Sequence, residues 1–174
     1  MNSKNYHQKT EIILGIDPGY DRLGWAIAIH SNNKYSQVKF GCIQTNRQQT
    51  IIKRYQQIET DLQQLIDQHQ PTQAAVETLF FANNVTTAMK VAETRGIILA
   101  LLMRNKLEID QYNPMQIKEA VTGNGQADKK AVEKMVKMEF KLIESQENVL
   151  DDAIDALAVI FTHCLLKKNM KYYA

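Results

Sequence analysis

An α/β fold built on a mixed sheet is predicted by the order of two kinds of segment. Three strand-like runs with β-branched and aromatic content come first and fit an antiparallel meander. Two strand–helix–strand units follow, and such units attach parallel strands to that ribbon. A third observation bounds the answer: 174 residues with 44% hydrophobic content suit one domain with a substantial core.

The meander strands are read at 11–16, 23–29 and 34–43. The first two are joined by Asp17-Pro18-Gly19-Tyr20-Asp21-Arg22, where proline fixes one φ and glycine frees another. Ile51, Tyr55, Ile58, Leu62 and Leu65 then recur at helical spacing, predicting an amphipathic helix over about 48–69 that Pro71 closes. A strand at 73–79, a largely apolar helix at 86–104 and a strand at 107–112 complete the two parallel units. A short helix is predicted over 115–121, followed by the glycine-containing loop 122–126. Asp128 reads as the N-cap of a helix from 129 to about 143, and the last helix runs from about 151 to 167. Residues 1–10 are polar and read as a disordered lead-in, 11–168 as a single domain, and 169–174 as a tail. No repeat or linker divides the chain.

The net charge of +2 neither demands nor excludes nucleic acid, so the distribution of charge has to decide. Cys42 and Cys164 lie far apart without CxxC spacing and read as reduced thiols. The longest apolar stretch, 96–103, is too short to span a bilayer, and a soluble, cytoplasmic protein is expected.

Four acids in three contexts stand out. Asp17 ends a strand before Pro-Gly, Glu77 is the only charge within 74–82, and Asp152 and Asp155 share one face of a helix start. Each has an ordinary reading: an Asx turn for Asp17, a solvent-facing edge for Glu77, dipole capping for the aspartates. Asp151 reads as the N-cap or a solvated neighbour. Together they suggest more, because carboxylates are rarely buried unless paired or ligating metal. If they converge, each pair at about 4 Å repels by on the order of 4 kcal/mol at an effective dielectric near 20, and a cation is needed. Oxygen ligands suit Mg²⁺ or Mn²⁺, and two such ions suit phosphodiester hydrolysis. His163, on an apolar helix beside Cys164, reads as a packed histidine. Lys130, Lys134, Lys137 and Lys141 form a stripe, with Lys118 and Lys129 flanking the glycine loop; a solvated face and a phosphate-tracking face both fit. Phe80 and Phe81 are either core or a ring that stacks on a base.

In sequence order these segments resemble the RuvC family of Holliday-junction resolvases, within the ribonuclease H-like superfamily. The likeness covers nearly everything from Ile12 to Cys164. It includes Gly15-Ile16-Asp17-Pro18-Gly19 with Gly24, Val76-Glu77 leading to Phe80, and Ala92-Glu93-Thr94-Arg95-Gly96. It continues through Gln116-Ile117-Lys118, Thr122-Gly123-Asn124-Gly125 with Lys129, Asp152-Ala153-Ile154-Asp155-Ala156-Leu157-Ala158, and Thr162-His163-Cys164.

The resemblance implies a ribonuclease H-like five-stranded mixed sheet, three strands antiparallel and two parallel, flanked by helices. It implies a homodimer that binds four-way junctions in recombination and repair and nicks two strands of like polarity with Mg²⁺, leaving 5′-phosphates. Two ions per site, replaceable by Mn²⁺, are expected. By position, Asp17, Glu77, Asp152 and Asp155 become the metal-binding catalytic acids. Lys118 and Lys129 match basic residues near DNA and active site, with Lys118 expected to stabilise developing charge. Lys130 is added as a DNA contact, and Phe80 matches a junction-stacking aromatic. A branch-migration motor is an implied partner. One departure is Trp25-Ala26, where the family often has a second glycine, so packing of the second strand is expected to differ. Three rivals remain open here: an actin-like nucleotide-binding half-domain, a junction-binding module with silent acids, and a nuclease of the same superfamily acting on flaps, forks or hybrids.

Overall fold

The computed structural model describes residues 10–78, 85–142 and 151–172. Its elements are β1 (Glu11–Asp17), β2 (Arg22–Ser31), β3 (Lys34–Gln44), α1 (Ile51–His69), β4 (Gln73–Glu77), α2 (Val85–Arg104), β5 (Glu108–Tyr112), α3 (Pro114–Thr122), α4 (Lys129–Glu139) and α5 (Asp151–Tyr172). The sheet order is β3-β2-β1-β4-β5. β1, β2 and β3 pair antiparallel, while β4 joins β1 and β5 joins β4 in parallel. The five-stranded mixed sheet expected from the sequence is the one that forms. Asn32 and Asn33, both at positive φ of 53° and 58°, make the two-residue turn between β2 and β3, matching the right-handed twist of the ribbon.

Side-chain alternation divides the core between the two faces of the sheet. Leu14, Ile16, Leu23, Ile27, Ala74 and Val76 pack with Ile58 and Leu62 of α1 and Ile98, Leu101 and Leu102 of α2. Ile13, Ala26, Ala28 and Ala75 pack instead with Ala156, Val159 and Ile160 of α5, together with residues of α3 and α4. The central helix lies close against the sheet at Gly15, where an added Cβ would stand 2.4 Å from the Ala156 carbonyl oxygen. The Trp25 departure has its own local solution: its partner across the ladder is Gly41, whose missing side chain makes room for the indole.

His163 is the packed histidine expected. It is fully buried, hydrogen-bonded through Nδ1 to the Tyr112 hydroxyl at 3.0 Å and through Nε2 to Gln73 Oε1 at 2.8 Å, so it ties α5 to β4 and β5. Burial is the main cause that lowers its pKa to about 4, and it packs as the neutral ring.

Two helix ends differ from expectation. α4 stops at Glu139, not near 143, because Lys141 turns to φ 53° and closes a Schellman motif. The Leu142 N–H bonds the Lys137 carbonyl at 3.0 Å, and the Lys141 N–H that of Met138 at 3.3 Å. Leu142 then packs on the core, which offsets the cost of a left-handed lysine. α5 continues to Tyr172, past the predicted end at 167, since no glycine or proline interrupts it; part of the expected tail is therefore helical. The lead-in at 1–9 lies outside the described residues. Among the described residues no helix is long and apolar enough to cross a membrane.

Candidate active site

Parallel pairing sets Ile16 beside Val76, so the residues that follow, Asp17 and Glu77, end neighbouring strands side by side. Alternation puts both on the α5 face of the sheet. There the first turns of α5 bring Asp152 and Asp155. Gly24 lets that helix start approach β2: a Cβ at this position would lie 1.9 Å from the Asp152 carbonyl oxygen.

A cavity of about 290 Å³ opens at this end of the sheet, lined by Asp17, Glu77, Asp155, Lys118 and Lys129, with apolar Ile117 and Val132. Lys118 is carried by α3, which is held by a reciprocal capping box between Asn113 and Gln116 with Pro114 in the first turn. Lys129 follows Asp128, whose carboxylate accepts the Ala131 N–H at 2.8 Å as the predicted N-cap. The Lys129 ammonium sits 3.1 Å from Asp155 and 3.5 Å from Asp151.

The charges in this cavity are poorly compensated. Burial, then the neighbouring Asp155 and Asp152 carboxylates, push Asp17 up to about 7 against the pull of Lys129. Burial and the charges of Asp17 and Asp155 push Glu77 up to about 8. Asp155 is raised as well, by burial first, with Lys129 opposing. Burial works against the charge on Lys129, but its hydrogen bond to Asp155 and the charges of Asp155 and Asp151 outweigh it and raise its pKa.

Asp152 is the predicted acid that does not line the cavity. It forms an ion pair with Arg22, and the Cys42 thiol lies 3.8 Å from its Oδ2. Among the described residues, no three acid, histidine or cysteine side chains stand close enough to share one ion. Lys130 is also apart from the cavity. It lines a separate groove of about 590 Å³ with Lys134, Lys137 and Lys141, where Lys137 pairs with Glu133 at 2.6 Å. Phe80 and Phe81 lie outside the described residues.

Two features escaped sequence reasoning. Arg22 and Cys42 around Asp152 are one; Arg22 shares a strand face with Gly24 by alternation, which is the only signal it offered. The other is Arg54, a cation set on the apolar face of α1, three residues after Ile51 and four before Ile58, and buried there. It forms an ion pair with Asp21 and donates to the Tyr20 carbonyl at 2.9 Å and to the Thr45 hydroxyl at 2.8 Å. That network clamps the turn leaving Asp17.

The model of the family described as crossover junction endodeoxyribonuclease RuvC matches residues 13–163. The chain belongs to the RuvC family. A RuvC from Pseudothermotoga lettingae is 41% identical over 163 residues, covering 94% of this chain and 99% of that protein. One from Petrotoga mobilis is 39% identical over 160 residues, covering 92% and 97%. Among solved structures, Thermus thermophilus RuvC in complex with Holliday junction substrate superposes with a TM-score of 0.83 at 28% identity, covering 91% of this chain and 95% of that one. The yeast mitochondrial Holliday junction resolvase Ydc2 has a TM-score of 0.69 at 15% identity, a likeness of fold alone. RuvC membership makes the chain a nuclease and removes the actin-like reading.

Proposed function

We propose that this chain resolves four-way DNA junctions by divalent-metal-dependent nicking of two strands of like polarity at the cavity between β1, β4 and α5. The observation that carries this reading is the meeting of Asp17, Glu77 and Asp155 in one half-buried cavity with Lys118. The donor set fits a hard divalent ion. It is all oxygen, and Asp17 and Glu77, raised first by burial and then by neighbouring carboxylates, carry charge that a cation would compensate. Asp17, Glu77, Asp152 and Asp155 would hold the metal, two Mg²⁺ ions in the preferred form, with Mn²⁺ a substitute. Bound there, it would make an attacking water more acidic and neutralise the departing 3′ oxygen, leaving 5′-phosphate ends.

The protein's own groups do the remaining work. Lys118, in the cavity wall, offers a positive charge to the phosphoryl oxygens as negative charge builds on them. Lys129 holds Asp155 in the cavity and faces the same anionic strand. Lys130, with the other lysines of its groove, tracks phosphates of a duplex arm, which makes binding salt-sensitive. Phe80 stacks at the junction centre. A homodimer, by its two-fold symmetry, presents two such cavities to equivalent strands. The protein works in the cytoplasm, with a branch-migration motor as partner.

A substrate panel tests the reading: a mobile four-way junction, linear duplex, fork, flap and RNA–DNA hybrid, each started with Mg²⁺. Paired nicks confined to the junction are expected. Equal cutting of fork, flap or hybrid would assign a different substrate, and junction binding without nicking would leave a binding module.

A further inference from the structure

Arg22 opens β2 on the strand face that meets the start of α5, and there it forms an ion pair with Asp152. The guanidinium side chain is 41% exposed and the carboxylate 25%. Two neighbours fix the encounter. Gly24 leaves no Cβ between β2 and the Asp152 backbone. Cys42, its partner across the ladder, brings its thiol within 3.8 Å of Asp152 Oδ2, the oxygen that also takes Arg22, and within 3.7 Å of the Ile43 carbonyl.

This carboxylate therefore has its charge compensated by the protein and one oxygen approached by both neighbours. Lys129 neutralises Asp155 as well, but Asp155 already lines the cavity with Asp17 and Glu77. Of the four predicted acids, Asp152 alone stays out of it, and its ion-pair partner is Arg22. We infer that Arg22 is a positioning residue that competes with the divalent ion for Asp152, holding this carboxylate aside until metal displaces the guanidinium.

The inference rests on the metal-site reading above and adds a direction to it. A charge-assisted hydrogen bond to a carboxylate has to be broken before that oxygen can ligate. Removing Arg22 ends the competition and also makes the cavity more negative, and both changes favour a cation. For a half-exposed ion pair the gain amounts to about fivefold in metal affinity.

The test is Mn²⁺ binding to the DNA-free protein, read from the electron paramagnetic resonance of the free ion, with folding followed by circular dichroism. Arg22→Gln is expected to bind Mn²⁺ about fivefold more tightly than wild type. Arg22→Lys, which keeps the charge, should stay near wild type. In an Asp152→Asn background Arg22→Gln should tighten binding clearly less, because the competition for that carboxylate is already gone and only the change in cavity charge remains. Arg22→Met repeats the measurement if the Gln variant is unstable.

Unchanged or weaker Mn²⁺ binding by the uncharged variants overturns the inference. So does equal tightening by Arg22→Lys, or tightening of undiminished size in the Asp152→Asn background. Wild-type protein that binds no Mn²⁺ saturably, and does not differ from Asp17→Asn, would instead contradict the metal site itself.

Discussion

Asp17 and Glu77 bear most of the electrostatic cost of the site when no cation is present. Their carboxyls rise from 3.8 to about 7 and from 4.5 to about 8. Between those values the folded protein holds protons that the unfolded chain has released. Stability of the metal-free protein therefore falls as pH rises through that window. At pH 8, Asp17→Asn removes one repelling charge and should stabilise metal-free protein by about 1–2 kcal/mol, or about 2–8 °C in Tm. Mg²⁺ should raise the wild-type Tm and raise that of Asp17→Asn much less. Thermal melts at pH 5 and pH 8, with and without Mg²⁺, check both statements, and a variant less stable than wild type at pH 8 would assign Asp17 a structural role. Lys118→Ala tests the other sign of charge: loss of one electrostatic partner at the reacting phosphate should lower single-turnover nicking by about 10²–10³-fold while junction affinity changes little. Residue identity was legible at this scale because an acid at the polar end of an apolar strand has few ordinary uses. The direction in which Asp152 points was not, since it depends on Arg22 and Cys42, far away in the chain.

At the level of elements, the site depends on how closely α5 meets β1 and β2. Gly15 and Gly24 set that distance, with Cβ positions 2.4 Å and 1.9 Å from backbone oxygens of the helix. Gly24→Ala should push the start of α5 outward, destabilise the fold by about 1–3 kcal/mol and move Asp152 and Asp155 from the strand ends. A urea titration and a nicking assay on the folded fraction measure the two effects; full activity at unchanged stability would show that the close approach is dispensable. Strands and helices were readable because the continuous apolar, isoleucine-rich run at 12–16 and the helical spacing in 51–66 each leave one pattern. Helix ends were less so. A sequence offers no reason to stop α4 at Glu139, because a lysine is an uncommon left-handed residue. The motif forms there once Leu142 finds the core. Arg54 was missed for a similar reason: a cation on α1 is buried only because the turn after β1 supplies an aspartate and a carbonyl.

Across the whole molecule, two parallel strands added to an antiparallel ribbon bring side chains far apart in the chain to one sheet end. The lysine groove, by contrast, lies apart from the acids, on the other side of Lys129 along α4. On the proposed reading this separation would divide cutting from holding DNA, and the two should respond differently to salt and to metal. Junction binding should weaken with salt and persist without metal, whereas nicking should require it; a binding titration at two salt concentrations with chelator, beside a nicking assay, checks both.

The most direct measurement starts wild type and Asp17→Asn with Mg²⁺ on a mobile four-way junction, reading binding and strand cleavage in the same samples. Wild type is predicted to give paired nicks with 5′-phosphate ends in two strands of like polarity, and Asp17→Asn to bind the junction without cutting it. Nicking by Asp17→Asn at the wild-type rate, or wild-type cleavage that persists in chelator, would contradict a metal-dependent nuclease centred on these carboxylates.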